Sequence, residues 1–151
     1  MSIFNSMNSS SSALTAQRLR MDVISSNISN ATTTRATVNE NGEYEPYRRK
    51  MVNLAPSDNT FKSFLSKAAN NSSNAGNGVK VTGIVEDEEP FKMEYNPSHP
   101  DADEAGYVQL PNVDPLKEMV DLMSATRSYE ANVTALNASK GMLMKALEIG
   151  K

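Results

Sequence analysis

Apolar residues fall every seven positions near both ends of the chain, and the middle follows a different rhythm. Toward the C-terminus, Met119, Thr126, Val133, Lys140 and Leu147 form one series, and Leu122, Tyr129, Leu136 and Leu143 form a second. The two interleave at steps of three and four, the pattern of a helix with an apolar seam sustained over about four heptads. Lys140 and Thr126 are its imperfect members. Asp114-Pro115 supplies the start, an N-cap followed by proline at the first helical position. Near the N-terminus, Met7, Leu14, Met21 and Ile28 are spaced by seven, and Ile3, Ser10, Gln17, Ile24 and Ala31 fill the alternate position. This predicts a helix over residues 3–30, ended by the Asn-, Ser- and Thr-rich run from Asn27 to Thr34. Ser9 to Ser12 weaken it, each at up to about 0.5 kcal/mol relative to Ala, so the helix is expected to form mainly when packed.

Between these helices the sequence reads as short strands and loops. Tyr47 to Leu54 predicts a strand carrying Arg48-Arg49-Lys50. Phe61, Phe64, Leu65 and Ala68 have the spacing of a short amphipathic helix, and residues 70–78 are a polar loop. Val79 to Val85 and Phe91 to Tyr95 alternate about Asp87-Glu88-Glu89-Pro90 and predict a β-hairpin. Asn96 to Pro100 forms a turn before a short strand at Tyr107–Leu110. The predicted architecture is mainly α: N- and C-terminal helices pairing as a coiled coil, with a small β-rich insert between them. The corresponding divisions are 1–34, 35–113 with a flexible loop near 70–78, and 114–151.

Composition sharpens this picture. The 151 residues are 38% hydrophobic with no Trp and four Phe, which is lean for one generous core. Cysteine is absent, which removes disulfides, thiolate metal sites and cysteine nucleophiles. The net charge of −3 gives no electrostatic footprint for nucleic acid. Residues 111–151 carry five bases and five acids, so the C-terminal seam can meet another surface without large repulsion. No apolar run reaches the length of a membrane span, and Met1 to Asn30 lacks the features of a cleaved secretory signal.

Candidate chemistry is thin. His99 is the sole histidine and sits in a turn, where a structural role outweighs a catalytic or metal-binding one. Asp101 to Gly106 begins like a calcium loop but has Ala105 and Asn112 where ligands are required, so a turn or capping role is expected. Glu86 to Glu89 is a solvated acidic run. Arg48-Arg49-Lys50 suits a salt-bridging strand or an acidic neighbour better than phosphate. No catalytic residue, metal or cofactor is expected. The seams remain. From periodicity alone, self-packing and assembly with other chains are equally good readings, and the lean middle favours assembly.

Asn27-Ile28-Ser29-Asn30-Ala31 with Thr32-Thr33-Thr34, after Met21-Asp22-Val23-Ile24, resembles the N-terminal signature of flagellar rod and hook proteins. Ser29 stands where that family usually has Ala. Pro97 to Asp103 with Gly106-Tyr107-Val108 and Pro111-Asn112-Val113 is similar to the proximal-rod members of the family. So is Glu118 to Met123, continuing through Arg127 to Asn132. The resemblance spans the chain apart from 56–78. It implies a non-enzymatic subunit of the basal-body rod, exported uncleaved through the flagellar type III apparatus and polymerising into the drive shaft. The implied neighbours are the rod subunits FlgB, FlgF and FlgG and the adaptor FliE, with the ring protein FliF as a further candidate. Neither nucleic acid nor a direct membrane span is implied. The residues expected to pack between subunits are Met7, Leu14, Met21, Ile24 and Ile28, with Met119, Leu122, Tyr129, Val133, Leu136, Leu143 and Leu147. Competing readings are another axial subunit such as FlgB, a type III needle or translocator component, and a wall-cutting hydrolase.

Overall fold

A computed structural model describes residues 3–39, 42–57 and 78–150. The predicted short helix at 61–68 and nearly all of the loop at 70–78 lie outside them. Helix α1 runs Ile3–Ser29 and helix α2 runs Pro115–Ile149. Between them lie β1 (Thr37–Val38), β2 (Tyr44–Glu45), β3 (Lys50–Pro56), β4 (Val79–Glu86), β5 (Lys92–Tyr95) and β6 (Tyr107–Leu110). The two long helices pack together, with small antiparallel pairs between them in sequence.

Local chemistry explains both helices. The hydroxyls of Ser12 and Thr15 donate to the carbonyls of Ser9 and Ser11, at 2.7 and 3.2 Å, so these poor helix formers satisfy themselves on the preceding turn. At the end of α1, Asn30 donates from its side chain to Ser26 O (2.9 Å) and from its backbone to Ser26 O and Asn27 O. The last carbonyls of the helix are thereby occupied. The Asp114 carboxylate accepts from Leu116 N–H at 3.0 Å, which is the N-cap that Asp-Pro predicts.

The chain forms two compact units. The first gathers residues 1–19, 53–83 and 125–151. Its buried helical positions are small: Ser10, Ala16, Ala125 and Ser139, with Ala125 fully buried. Small residues let backbones approach closely and leave large side chains at the margins. In this unit Gly78 lies against α1, where a Cβ would come within 2.4 Å of Ser12 Oγ. Ser12 Oγ also accepts from Val79 N–H at 3.1 Å, fixing the start of β4.

The second unit gathers residues 20–52 and 84–124. Its apolar core is Val23, Ile24, Tyr47, Val108 and Val113. β1 and β2 pair with Thr37 opposite Glu45, around a turn with Gly42 at φ +84°. β5 and β6 pair antiparallel from Lys92↔Leu110 to Tyr95↔Tyr107, and the last two rings meet edge to face at 5.3 Å.

The predicted hairpin between residues 79–85 and 91–95 does not form. Both strands exist, but β4 pairs with β3 and β5 pairs with β6. The reason lies in the intended turn. Asp87 N–H donates to Arg49 O at 2.8 Å, and Asn112 Nδ2 donates to the carbonyls of Asp87 and Glu89. Groups from elsewhere in the chain thus hold the 87–89 segment, and β5 leaves it toward β6. The strand predicted from Tyr47 starts at Lys50, because Tyr47 and Arg49 turn inward.

Candidate assembly surface and its buried polar anchor

Two of the largest fully buried side chains of the second unit are polar. Glu118 is 0% exposed and Asn27 1%. Asn27 lies near the end of α1 and faces the backbone of Lys50. Its Nδ2 donates to Lys50 O and to Glu118 Oε2, both at 2.9 Å. Its Oδ1 accepts from Lys50 N–H and from the Tyr47 hydroxyl, both at 3.0 Å. All four hydrogen-bonding positions of the amide are filled. Aspartate could not donate here, and an apolar residue would leave buried groups unsatisfied.

Glu118 sits one turn into α2, its N–H bonded to Asp114 O. Its other oxygen accepts from Arg49 Nε at 2.6 Å. Arg49 also reaches Asp87 at 3.1 Å and Asp121 at 3.6 Å, and Asp121 lies 3.6 Å from Arg20. Asn112 completes the cluster by accepting from Arg49 N–H at 2.8 Å. Burial opposes the charge on Arg49, but hydrogen bonds to Glu118 and Asp87 outweigh it and hold its pKa above the ordinary arginine value. The Glu89 backbone N–H, opposed by burial and helped by Arg49, holds the Asp87 carboxyl below its ordinary value. A buried pair of this kind is sound only when every member has partners, and here each does.

A second polar tie fixes the turn between β5 and β6. Asp101 accepts from Thr34 Oγ1 at 2.8 Å and from Arg35 Nε at 2.6 Å, with a further contact to Arg35 Nη2. The Arg35 hydrogen bonds, ahead of that from Thr34, lower the Asp101 pKa. His99 Nδ1 accepts from Asp101 N–H, and Asp103 accepts from the N–H groups of Ala105 and Tyr107. The acids that open like a calcium loop thus serve the turn. Among the described residues, no group of three or more His, Asp or Glu is placed to hold a metal ion.

The three consecutive bases have three roles. Arg48 stacks on the Phe91 ring at 4.4 Å, Arg49 enters the buried cluster, and the Lys50 ammonium lies over the Tyr47 ring at 5.7 Å. Spacing along the chain carries no signal for the inward turn of Arg49.

The predicted seam residues divide by exposure. Ile24 is buried. Met7, Leu14, Met21, Ile28, Leu122, Tyr129, Val133, Leu136 and Leu143 are half-buried, and Met119 and Leu147 are exposed. The buried line on α2 is Glu118, Ala125 and Ser139, also spaced in sevens, with half-buried Asn132 between the last two. Within the second unit, Leu116, Met119, Val120 and Met123 form an exposed apolar stripe at i, i+3, i+4 and i+7. Within the first, Met142, Met144, Leu147 and Ile149 are likewise exposed. No helix of the described residues is long and apolar enough to cross a membrane.

Two family models match the helical ends. One, for flagella basal body rod protein, covers residues 7–37, and the other, for flagellar basal body rod FlgEFG protein C-terminal, covers residues 104–149. Over 151 residues, all of both chains, the sequence is 64% identical to the flagellar basal-body rod protein FlgC of Bacillus subtilis. The chain belongs to the flagellar basal-body rod protein family. Proteins of the same name are 46% identical in Borreliella burgdorferi, over 99% of this chain and 98% of that one, and 39% identical in Escherichia coli O6:H1 over the whole of both. This rod protein is accordingly a structural subunit of the basal body and not an enzyme. Membership of the family implies that it assembles with rod partners. The Asn27 of its N-terminal signature is the centre of the buried anchor.

Proposed function

We propose that this rod protein is a subunit of the proximal rod and polymerises through α1 and α2 into the torque-transmitting shaft. Its neighbours in this reading are FlgB, FlgF and FlgG, the adaptor FliE and the ring protein FliF, and it reaches them uncleaved through the flagellar type III apparatus. The observation that carries the reading is the exposed apolar stripe of α2 formed by Leu116, Met119, Val120 and Met123, of which Leu116 is 74% open to solvent. Contiguous exposed apolar stripes of this kind mark contact surfaces. Head-to-tail contacts between unlike surfaces extend into a helical tube rather than closing, and close-packed helices resist twist. The heptad series on both helices, from Met7 to Ile28 and from Met119 to Leu147, is assigned to contacts between subunits at its half-buried and exposed members. The polar anchor ties the start of α2 to the end of α1.

The test is Met123→Asp, at a position 64% exposed in the subunit. The purified variant should melt like the parent, because the new charge faces water. Cells carrying it should export the subunit yet be non-motile, with membrane rings and no rod. Normal flagella in such cells would refute the assignment of α2 to assembly.

A further inference from the structure

The apolar surface that α2 leaves open is rich in one chemistry. Of its eight exposed large apolar residues, four are methionines: Met119, Met123, Met142 and Met144, between 54% and 64% exposed. Met7, Met21 and Met51 are half-buried. Among the described residues, Met93 on β5 is the one other open methionine. The exposed leucine, valine and isoleucine residues beside them are inert to peroxide, whereas an exposed thioether is a ready two-electron donor.

We propose that Met119 and Met123 in the second unit, and Met142 and Met144 in the first, are peroxide-sensitive modification positions that govern entry of the subunit into the rod, an inference that rests on the assignment of α2 to assembly. In the step, a sulfur lone pair attacks one oxygen of hydrogen peroxide. The S–O bond forms as the O–O bond breaks, and the departing hydroxide takes the remaining proton to leave as water. Sulfur is oxidised by two electrons and the peroxide is reduced by two. The product is a sulfoxide, whose oxygen is a strong acceptor on a side chain that was apolar.

In the free subunit this acceptor faces water and the fold tolerates it. In an assembled contact it would be buried without a donor, a costly arrangement. An oxidised subunit therefore stays folded and is excluded, and an assembled one is shielded because its sulfurs are covered. Methionine sulfoxide is reducible by sulfoxide reductases, so the state is reversible. Flexible thioethers also suit a surface that must fit several different neighbours.

The experiment has three arms. Purified subunit is treated with dilute hydrogen peroxide and mapped by mass spectrometry. The four methionines and Met93 should convert about tenfold faster than Met7, Met21 and Met51, with the melting curve little changed. Uniform conversion, or unfolding on conversion, overturns the proposal. Isolated basal bodies are treated in the same way, and there the four should be protected at least about tenfold relative to free subunit. Conversion at the free rate removes the assembly assignment and this proposal with it. Finally, cells carry Gln or Leu at all four positions, or Met123→Gln alone, after each purified variant is shown to melt like the parent. The Leu set should build rods, the Gln set should not, and Met93→Gln should be silent. Protection in basal bodies together with normal rods from both Gln variants overturns the oxidation gate and leaves the assembly reading intact.

Discussion

Glu118→Gln isolates the buried anchor better than any deletion, because it changes charge and donor pattern and leaves shape intact. The two groups facing the Glu118 oxygens, Arg49 Nε–H and Asn27 Nδ2–H, are both donors. A glutamine has one carbonyl and one NH2, so it can accept from only one of them and must turn a donor toward the other. The loss is one buried donor left unsatisfied, about 1–3 kcal/mol, together with the charge assistance of the remaining bond, about 1 kcal/mol. Arg49 keeps Asp87 at 3.1 Å and Asp121 at 3.6 Å, which limits the damage. The total should therefore stay near the bottom of the roughly 3–5 kcal/mol seen when a buried charge loses its only partner. About 3 kcal/mol corresponds to a fall in Tm of roughly 6–12 °C for a chain of this length. Thermal unfolding followed by circular dichroism measures it, and faster amide exchange at residues 115–124 locates it. Glu130→Gln, on a side chain 61% exposed and paired with Arg127 at 3.6 Å, is the control and should change nothing. If Glu118→Gln melts within about 2 °C of the parent, the cluster is not the anchor described above.

Other outcomes follow from single contacts. Gly78→Ala should cost about 1–3 kcal/mol, because φ is +89° and the new Cβ meets a Ser12 hydroxyl already engaged by Ser9 O and Val79 N–H. Gly42→Ala has a similar φ of +84° with open space around it, and urea titration should show a cost nearer about 1 kcal/mol. Leu136→Asp should lower the melting temperature of the free subunit as well as block rods, because Leu136 is half-buried there, whereas Met123→Asp should do only the second. Asp87 has a lowered folded pKa, so its contribution is complete above its unfolded value near 3.8 and is lost as pH falls through the lower folded value. Acid titration of stability should accordingly show a shallower loss below about pH 4 in Asp87→Asn than in the parent.

The ends of the fold were legible because their signals are local. Asp114-Pro115 marks the start of α2, and the Asn-rich run from Asn27 closes α1 within a residue of its predicted end. Alternation marked the positions of β4 and β5 but not their pairing, and the two-residue strands β1 and β2 carried no signal. Nothing in residues 79–95 reveals that Arg49 and Asn112 hold the segment that resembles a hairpin turn. The centre of the second unit escaped for a different reason. Apolar periodicity cannot detect a core built on Asn27 and Glu118, since each is a surface residue by composition and buried only because the other, with Arg49, completes it. The small residues Ser10, Ala125 and Ser139 likewise carry no apolar signal, although on α2 they continue the same spacing of seven as Glu118.

The anchor also has an order in time. Asn27 and Glu118 are separated by 91 positions, and Arg49, Asp87 and Asn112 enter from the intervening chain. Apart from the Glu89 N–H on Asp87, the side-chain partners within the cluster lie far apart in sequence. Whichever terminus of an extended chain emerges first from a narrow passage, the cluster must wait until the opposite helix has followed. Closure is thus a report that nearly all of the subunit has arrived. A chain arrested midway holds Arg49 without Glu118, or Glu118 without Arg49, as a charge in open water, where it is well solvated and keeps the fragment from condensing early.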